Sequence, residues 1–362
     1  MEFRITAGGH WQPRRWLSIL FRFSVPGCVA LLLPLATVAE PSVRLKVGMV
    51  SDTARFDDAG FNQSCKEGLE RAMRELNVEG CFRESRTRDD YATNLTELVR
   101  AKCGLIIGIG SMMHGALAQA ANRNPDVKFA LVDSAFYPPL PNVESLTFSV
   151  EEAAFPVGFL AAAWADFKDP QNARVGFVGG VKIEPVQQFV VPFQAGVAFY
   201  NRKYNKNIPV FGDYAGTFED SAKGKAMGAA LLAEGVDVIF GVGGQTGVGA
   251  LMAAKEQGKC GIGVDLDQYF TLPEIRDCLL TSCLKKMDNA VFAVVQNTLA
   301  GRFQESGNMV GTLANGQVGL APFHAFEKQI PENIRKDLDI IQQAIRAGKI
   351  ATGWPPSYVI PW

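Results

Sequence analysis

Histidine is nearly absent: among 362 residues only His10, His114 and His324 carry an imidazole. Histidine is the side chain that most readily exchanges a proton near neutral pH, and it is the commonest metal ligand. Most hydrolytic and metal-dependent chemistry therefore has little to work with. Neither sign of charge is in excess, since 36 Lys and Arg face 37 Asp and Glu. A nucleic-acid partner needs a basic stripe, and none is offered. No Cys-x-x-Cys pair exists to hold zinc. Beyond residue 39 no apolar run approaches the roughly 20 residues of a spanning helix. A composition of 48% apolar and 20% charged residues excludes disorder over most of the chain. These absences favour a binding protein over an enzyme, without cofactor or metal.

What is present begins with a targeting segment. Arg14 and Arg15 precede an apolar stretch at 16–23 and an uncharged run at 25–39, after which Glu40-Pro41-Ser42 turns polar. This is the basic, apolar, small-residue order of a secretory signal peptide. Thr37-Val38-Ala39 offers the cleavage site, so 1–39 is expected to be removed from an exported protein, periplasmic or extracellular. Arg22 and Pro26 interrupt the run, which weakens the alternative of an uncleaved anchor. Val25-Pro26-Gly27-Cys28 forms a degenerate lipobox, and Cys28 offers a lipid anchor instead. Apolar residues follow Cys28 where a lipoprotein carries a polar tether, so soluble export is preferred. Cys65, Cys81, Cys103, Cys260, Cys278 and Cys283 remain in the mature chain. They fit either disulfides in an oxidising compartment or buried thiols.

At about 150 residues per domain, the length suggests two domains. The mature chain alternates strand and helix. Apolar runs at 44–50, 105–110 and 128–133 read as buried parallel strands with helices between them. The pattern restarts with strands at 143–150, 174–179, 210–214, 236–242 and 261–265. The fold class is α/β, two doubly wound parallel-sheet lobes joined by hinge strands, with a cleft at the carboxyl ends of both sheets. The expected division is 40–148 with 283–305 for the N-terminal lobe and 149–282 with 306–362 for the C-terminal lobe.

In such a fold the chemistry sits at strand ends. Five stand out: Asp52, Gly110-Ser111, Asp133, Gly243-Gly244-Gln245 and Asp265. Singly, such carboxylates cap helices. Three at equivalent strand ends suggest a shared site for a neutral ligand rich in hydrogen-bond donors. Lys285, ending the run 279–284, is either its one cation or a surface lysine. Gly241-Val-Gly243-Gly-Gln-Thr246 breaks the dinucleotide-binding pattern at its last glycine, so phosphate cradling has no support. Asp265-Leu266-Asp267 is a weak cation motif, and no Ser–His triad is expected at Ser111 or Ser282.

Ser51-Asp-Thr-Ala-Arg-Phe-Asp-Asp-Ala-Gly-Phe-Asn-Gln63 and Gly263-Val-Asp-Leu-Asp-Gln-Tyr269 resemble motifs of the basic membrane protein (BMP) family of ABC-transporter substrate-binding proteins. Leu131-Val-Asp133, Pro192-Phe-Gln-Ala-Gly196 and Leu280-Thr-Ser-Cys-Leu-Lys285 agree in order and context. The resemblance implies a type I periplasmic-binding-protein fold. It also implies a monomer that captures a purine nucleoside such as inosine, adenosine or guanosine and delivers it to ABC transporter membrane subunits. It implies that Phe61 and Phe193 sandwich the base, that Asp52, Asn62 and Asp133 read its edge, and that Asp265 and Lys285 hold the ribose. Gly110, Ser111, Gly244 and Gln245 complete the expected ligand-binding set. Ala54 and Gln245 stand where the family carries glycine, so Gln245 is expected to add a side chain at the ribose end. The alternatives on this fold are a sensory or regulatory ligand-binding protein without transport and a receptor for another small solute. Nucleoside cleavage is disfavoured by the scarcity of histidine.

Overall fold

Apolar runs too short for helices and bounded by glycine or aspartate form the sheets, and the amphipathic stretches between them form the covering helices. The computed structural model describes residues 44–356. The segment read as signal peptide, with Cys28, lies outside the described residues. Along the chain run β1 (Lys46–Val50), α1 (Phe61–Glu75), β2 (Glu79–Arg83), α2 (Asp90–Arg100), β3 (Leu105–Ile109), α3 (His114–Arg123), β4 (Lys128–Val132) and β5 (Val143–Phe148). Then come α4 (Glu151–Lys168), β6 (Val175–Gly179), α5 (Glu184–Tyr204), β7 (Val210–Tyr214), α6 (Ser221–Ala233), β8 (Val238–Val242), α7 (Gly244–Glu256), β9 (Cys260–Asp265) and α8 (Gln268–Thr271). The chain closes with β10 (Leu279–Lys285), α9 (Met287–Leu299), β11 (Asn308–Gly311), β12 (Val318–Leu320) and α10 (Glu332–Arg346).

The strands form two sheets, ordered β11-β5-β4-β3-β1-β2 and β12-β10-β9-β8-β6-β7. Every pairing is parallel except that of β10 with β12. Central strands such as β3 and β8 are buried along their whole length, which is why they read as unbroken apolar runs. The two lobes expected from the sequence are therefore present, with their strand ends facing a shared cleft.

The chain crosses between lobes three times. It passes from β5 to α4, returns between β10 and α9, and leaves again between β11 and β12. Helix α9 belongs with the first lobe: the Asp288 N–H donates to Ser64 Oγ of α1 at 3.2 Å. The last crossing corrects the expected division at 306, because β11 pairs with β5 and keeps 308–311 in the first lobe. Its four residues, Asn-Met-Val-Gly, are too few and too mixed to announce a strand.

Helices α4 and α5 pack unusually close, and this sets the depth of α5. A Cβ added at Gly158 would lie 2.0 Å from Phe193 O, and one added at Gly196 2.0 Å from Phe155 O. Only glycine permits that approach. Locked against α4, α5 aims its first two turns at the cleft.

Candidate functional site

The first lobe's wall is built from the loop after β1. Asp58 caps α1: its carboxylate accepts from the N–H groups of Gly60 (3.0 Å), Asn62 (2.9 Å) and Gln63 (3.1 Å). It also accepts from Asn62 Nδ2 at 3.0 Å, while Asn62 Oδ1 accepts from the Asp52 N–H at 2.9 Å. The Asn62 amide is thus held at both ends. Asp52 Oδ1 accepts from the Thr53 N–H at 2.7 Å and from the Tyr91 hydroxyl. Asp52 Oδ2 faces Gly110, where an added Cβ would stand only 2.8 Å away. Gly110 has φ +94°, so both space and backbone require glycine there. Burial pushes the Asp52 and Asp58 carboxyls above their usual range, against the hydrogen bonds that favour the charged form.

Asp133 and Asp265 are counterparts, one from each lobe. Asp133 follows β4 with φ +65°, and Asp265 ends β9 with φ +68°. Aspartate tolerates this left-handed conformation better than most residues, and such strain concentrates at functional sites. The Asp265 carboxyl is pushed up to about 7, chiefly by burial, with Lys285 opposing and Asp58 and Asp133 adding to the rise.

Lys285 closes the arrangement. Only 2% exposed, it ends β10 of the second sheet and pairs with Asp133 Oδ2 of the first lobe. A buried ammonium needs partners on every side. Its Nζ lies 5.0 Å from the centroid of Phe61, 5.4 Å from Phe148 and 5.7 Å from Phe189, each within cation–π range.

These groups surround a cavity at the strand ends of the two sheets. Nine of the residues expected from the sequence line it: Asp52, Phe61, Asn62, Gly110, Ser111, Asp133, Gly244, Asp265 and Lys285. Two do not. Phe193 is fully buried and stacks on Phe240 of β8, with centroids 5.0 Å apart and planes at 27°. It sits one turn deeper along α5 than Phe189, which does line the cavity. Gln245 turns away and donates through Nε2 to Asp58 O at 3.1 Å.

Sequence reasoning missed Phe189, Phe218 and Asp58. The signal for Asp58 was legible, an aspartate just before Gly60-Phe61 at the start of an amphipathic helix. Nothing local marks Phe218, which packs against Gly180 and Gly244 at the cavity's far wall.

The described histidines stand outside. His114 Nδ1 is 2.8 Å from Ser134 Oγ, and burial lowers its pKa. His324 Nε2 is 2.8 Å from Asp267 Oδ2, and neither residue lines the cavity. The six cysteines weighed for disulfides are free thiols, all buried or half-buried. Chemically, the cavity presents four carboxylates and one ammonium between aromatic and aliphatic walls, an acceptor-rich surface that suits a ligand with several donors.

Comparison with known proteins agrees with this geometry. The family model for PnrA-like ABC transporter substrate-binding proteins matches residues 45–351. The chain is 30% identical over 305 residues to basic membrane protein A of Borreliella afzelii, covering 83% of this chain and 89% of that one. It is 32% identical over 302 residues to the ABC transporter nucleoside-binding protein BmpA of Lactococcus lactis subsp. cremoris, covering 78% and 83%. A solved ABC transporter solute-binding protein from Aeropyrum pernix K1 superposes with a TM-score of 0.80 at 27% identity, covering 85% and 92%.

Proposed function

The chain belongs to the family of PnrA-like ABC transporter substrate-binding proteins, and from that premise we propose that it captures a purine nucleoside between its lobes and delivers it to an ABC importer. The supporting observation is the pairing of left-handed Asp133 and Asp265 across the cleft around a single buried lysine. A base supplies a planar face for Phe61 on one side and for Phe189 and Phe218 on the other. Asp52, Asn62 and Asp133 accept from or orient the base edge, with Ser111 beside them. Asp265 accepts from ribose hydroxyls, and Lys285 donates to them, with Gly244 offering backbone contacts. Inosine, adenosine and guanosine all fit this description. The nucleoside-binding name of the Lactococcus relative supports the same reading.

A thermal-shift screen of the purified protein across nucleosides, free bases, sugars and amino acids tests the proposal. Purine nucleosides should raise the melting temperature most; an equal response to amino acids or sugars alone overturns it. The protein acts as a monomer outside the cytoplasm, released after Ala39. Intact-mass analysis of the exported form should give a chain starting at Glu40, and a diacylglycerol adduct on Cys28 would instead place it on a membrane. Among the described residues no helix is long and apolar enough to cross one.

A further inference from the structure

Two successive carbonyls of the first lobe's cleft loop are held by side chains of the second lobe. Gln245 Nε2 donates to Asp58 O at 3.1 Å, Gln268 Nε2 to Ala59 O at 3.2 Å, and Thr271 Oγ1 to the same oxygen at 3.1 Å. The Ala59 side chain packs in one apolar cluster with Val248, Leu251, Leu272 and Ile275 of the second lobe. Ala59 has φ +58°, a conformation an alanine keeps only where its surroundings impose it. Gln268 is itself anchored within its own lobe, its Oε1 accepting from the Val264 N–H at 3.3 Å and its N–H donating to Ser282 Oγ at 3.1 Å. Gln245, Gln268 and Thr271 all stay off the cavity lining, yet only Gly60 separates the carbonyls they hold from Phe61 and Asn62, which line it.

We propose that Gln245 and Thr271, with Gln268, form a ligand-independent latch that holds the two lobes together and so sets the affinity for whatever the cavity encloses. The physical argument is one of coupled equilibria. A ligand shifts the balance between open and closed lobes only by its preference for one of them. Contacts between the lobes, formed only on closure, bias the same balance, and apparent affinity scales with the closed fraction. A residue acting this way weakens every ligand by one common factor. A residue touching the ribose weakens nucleosides and spares free bases. Gln245 was expected to do the second; its hydrogen bond to the opposite lobe assigns it the first.

The test uses Gln245→Ala and Thr271→Val, both at half-buried positions, with melting temperatures checked first. It rests on the nucleoside reading only for its choice of ligands. Each variant should release inosine and hypoxanthine faster by the same factor, about three- to tenfold for one neutral hydrogen bond. Small-angle X-ray scattering of the ligand-free proteins should show a larger radius of gyration in both variants than in the parent. Faster loss of inosine alone would make Gln245 a ribose contact and overturn the latch. Unchanged ligand-free scattering in both folded variants would overturn it equally. If no nucleoside binds at all, the proposed function fails while the scattering comparison still decides the latch.

Discussion

Lys285, the last residue of a second-lobe strand, is ion-paired across the cleft with Asp133 of the first lobe, and both side chains are almost wholly buried. The pair joins the sheets at the cavity, with three aromatic rings around the ammonium. Breaking one side of such a pair leaves the other charge buried and unpaired, at a cost of about 3–5 kcal/mol.

Lys285→Met should therefore lower stability to urea by about that amount, and Asp133→Asn added to it should restore a large part of the loss. Equilibrium unfolding of the single and double variants measures this. A single variant as stable as its parent would contradict the role given to Lys285.

Asp265 sets a pH dependence. Its folded pKa, about 7, lies above the ordinary aspartate value of 3.8, so between those values the folded state binds more protons than the unfolded chain. Stability from this group accordingly falls as pH rises through that window. Asp265→Asn should gain stability on its parent between pH 5 and pH 8, by chemical unfolding at both. If Asp265 accepts from ribose hydroxyls as proposed, it does so best as the ionised carboxylate, so affinity should rise with pH up to about 7 and then level. A flat profile from pH 5 to 8 would detach Asp265 from the sugar.

The aromatic assignments separate cleanly. Phe61→Ala and Phe218→Ala should each cost about 1–3 kcal/mol of nucleoside binding, as base stacking on aromatics does. Phe193→Ala should instead lower folding stability by about 3–5 kcal/mol through the cavity it leaves in the core. Titration calorimetry beside thermal melting distinguishes the two patterns. A Phe193 variant of normal stability and poor affinity would return that ring to the site.

Much of this arrangement could be read before any coordinates. Phe129-Ala-Leu-Val-Asp133 and Gly261-Ile-Gly-Val-Asp265 repeat one apolar strand ending in one carboxylate, and a parallel sheet puts such ends on one edge. Phe193, expected at the base from the resemblance of Pro192-Phe-Gln-Ala-Gly196, lies off the cavity lining. Phe189 and Phe193 are four residues apart and share a helix face, so periodicity cannot tell which is nearer the cleft. That depth comes from the contacts of Gly158 and Gly196 between α4 and α5. Gln245 depended on a partner 187 residues away, the carbonyl of Asp58, and local pattern carries no such information. The return of 308–311 to the first sheet was hidden in the same way, because its register with β5 is a long-range pairing.

Titration of the parent protein and Asp265→Ala with inosine and with hypoxanthine tests the central claim most directly. Charge-assisted hydrogen bonds to ribose are worth about 1.5–3 kcal/mol each, so the substitution should weaken inosine binding roughly ten- to a hundredfold. Hypoxanthine, which lacks the sugar, should bind both proteins almost equally. Equal losses for the two ligands, or no loss for inosine, would contradict a site in which the second lobe's carboxylate reads the ribose of an enclosed nucleoside.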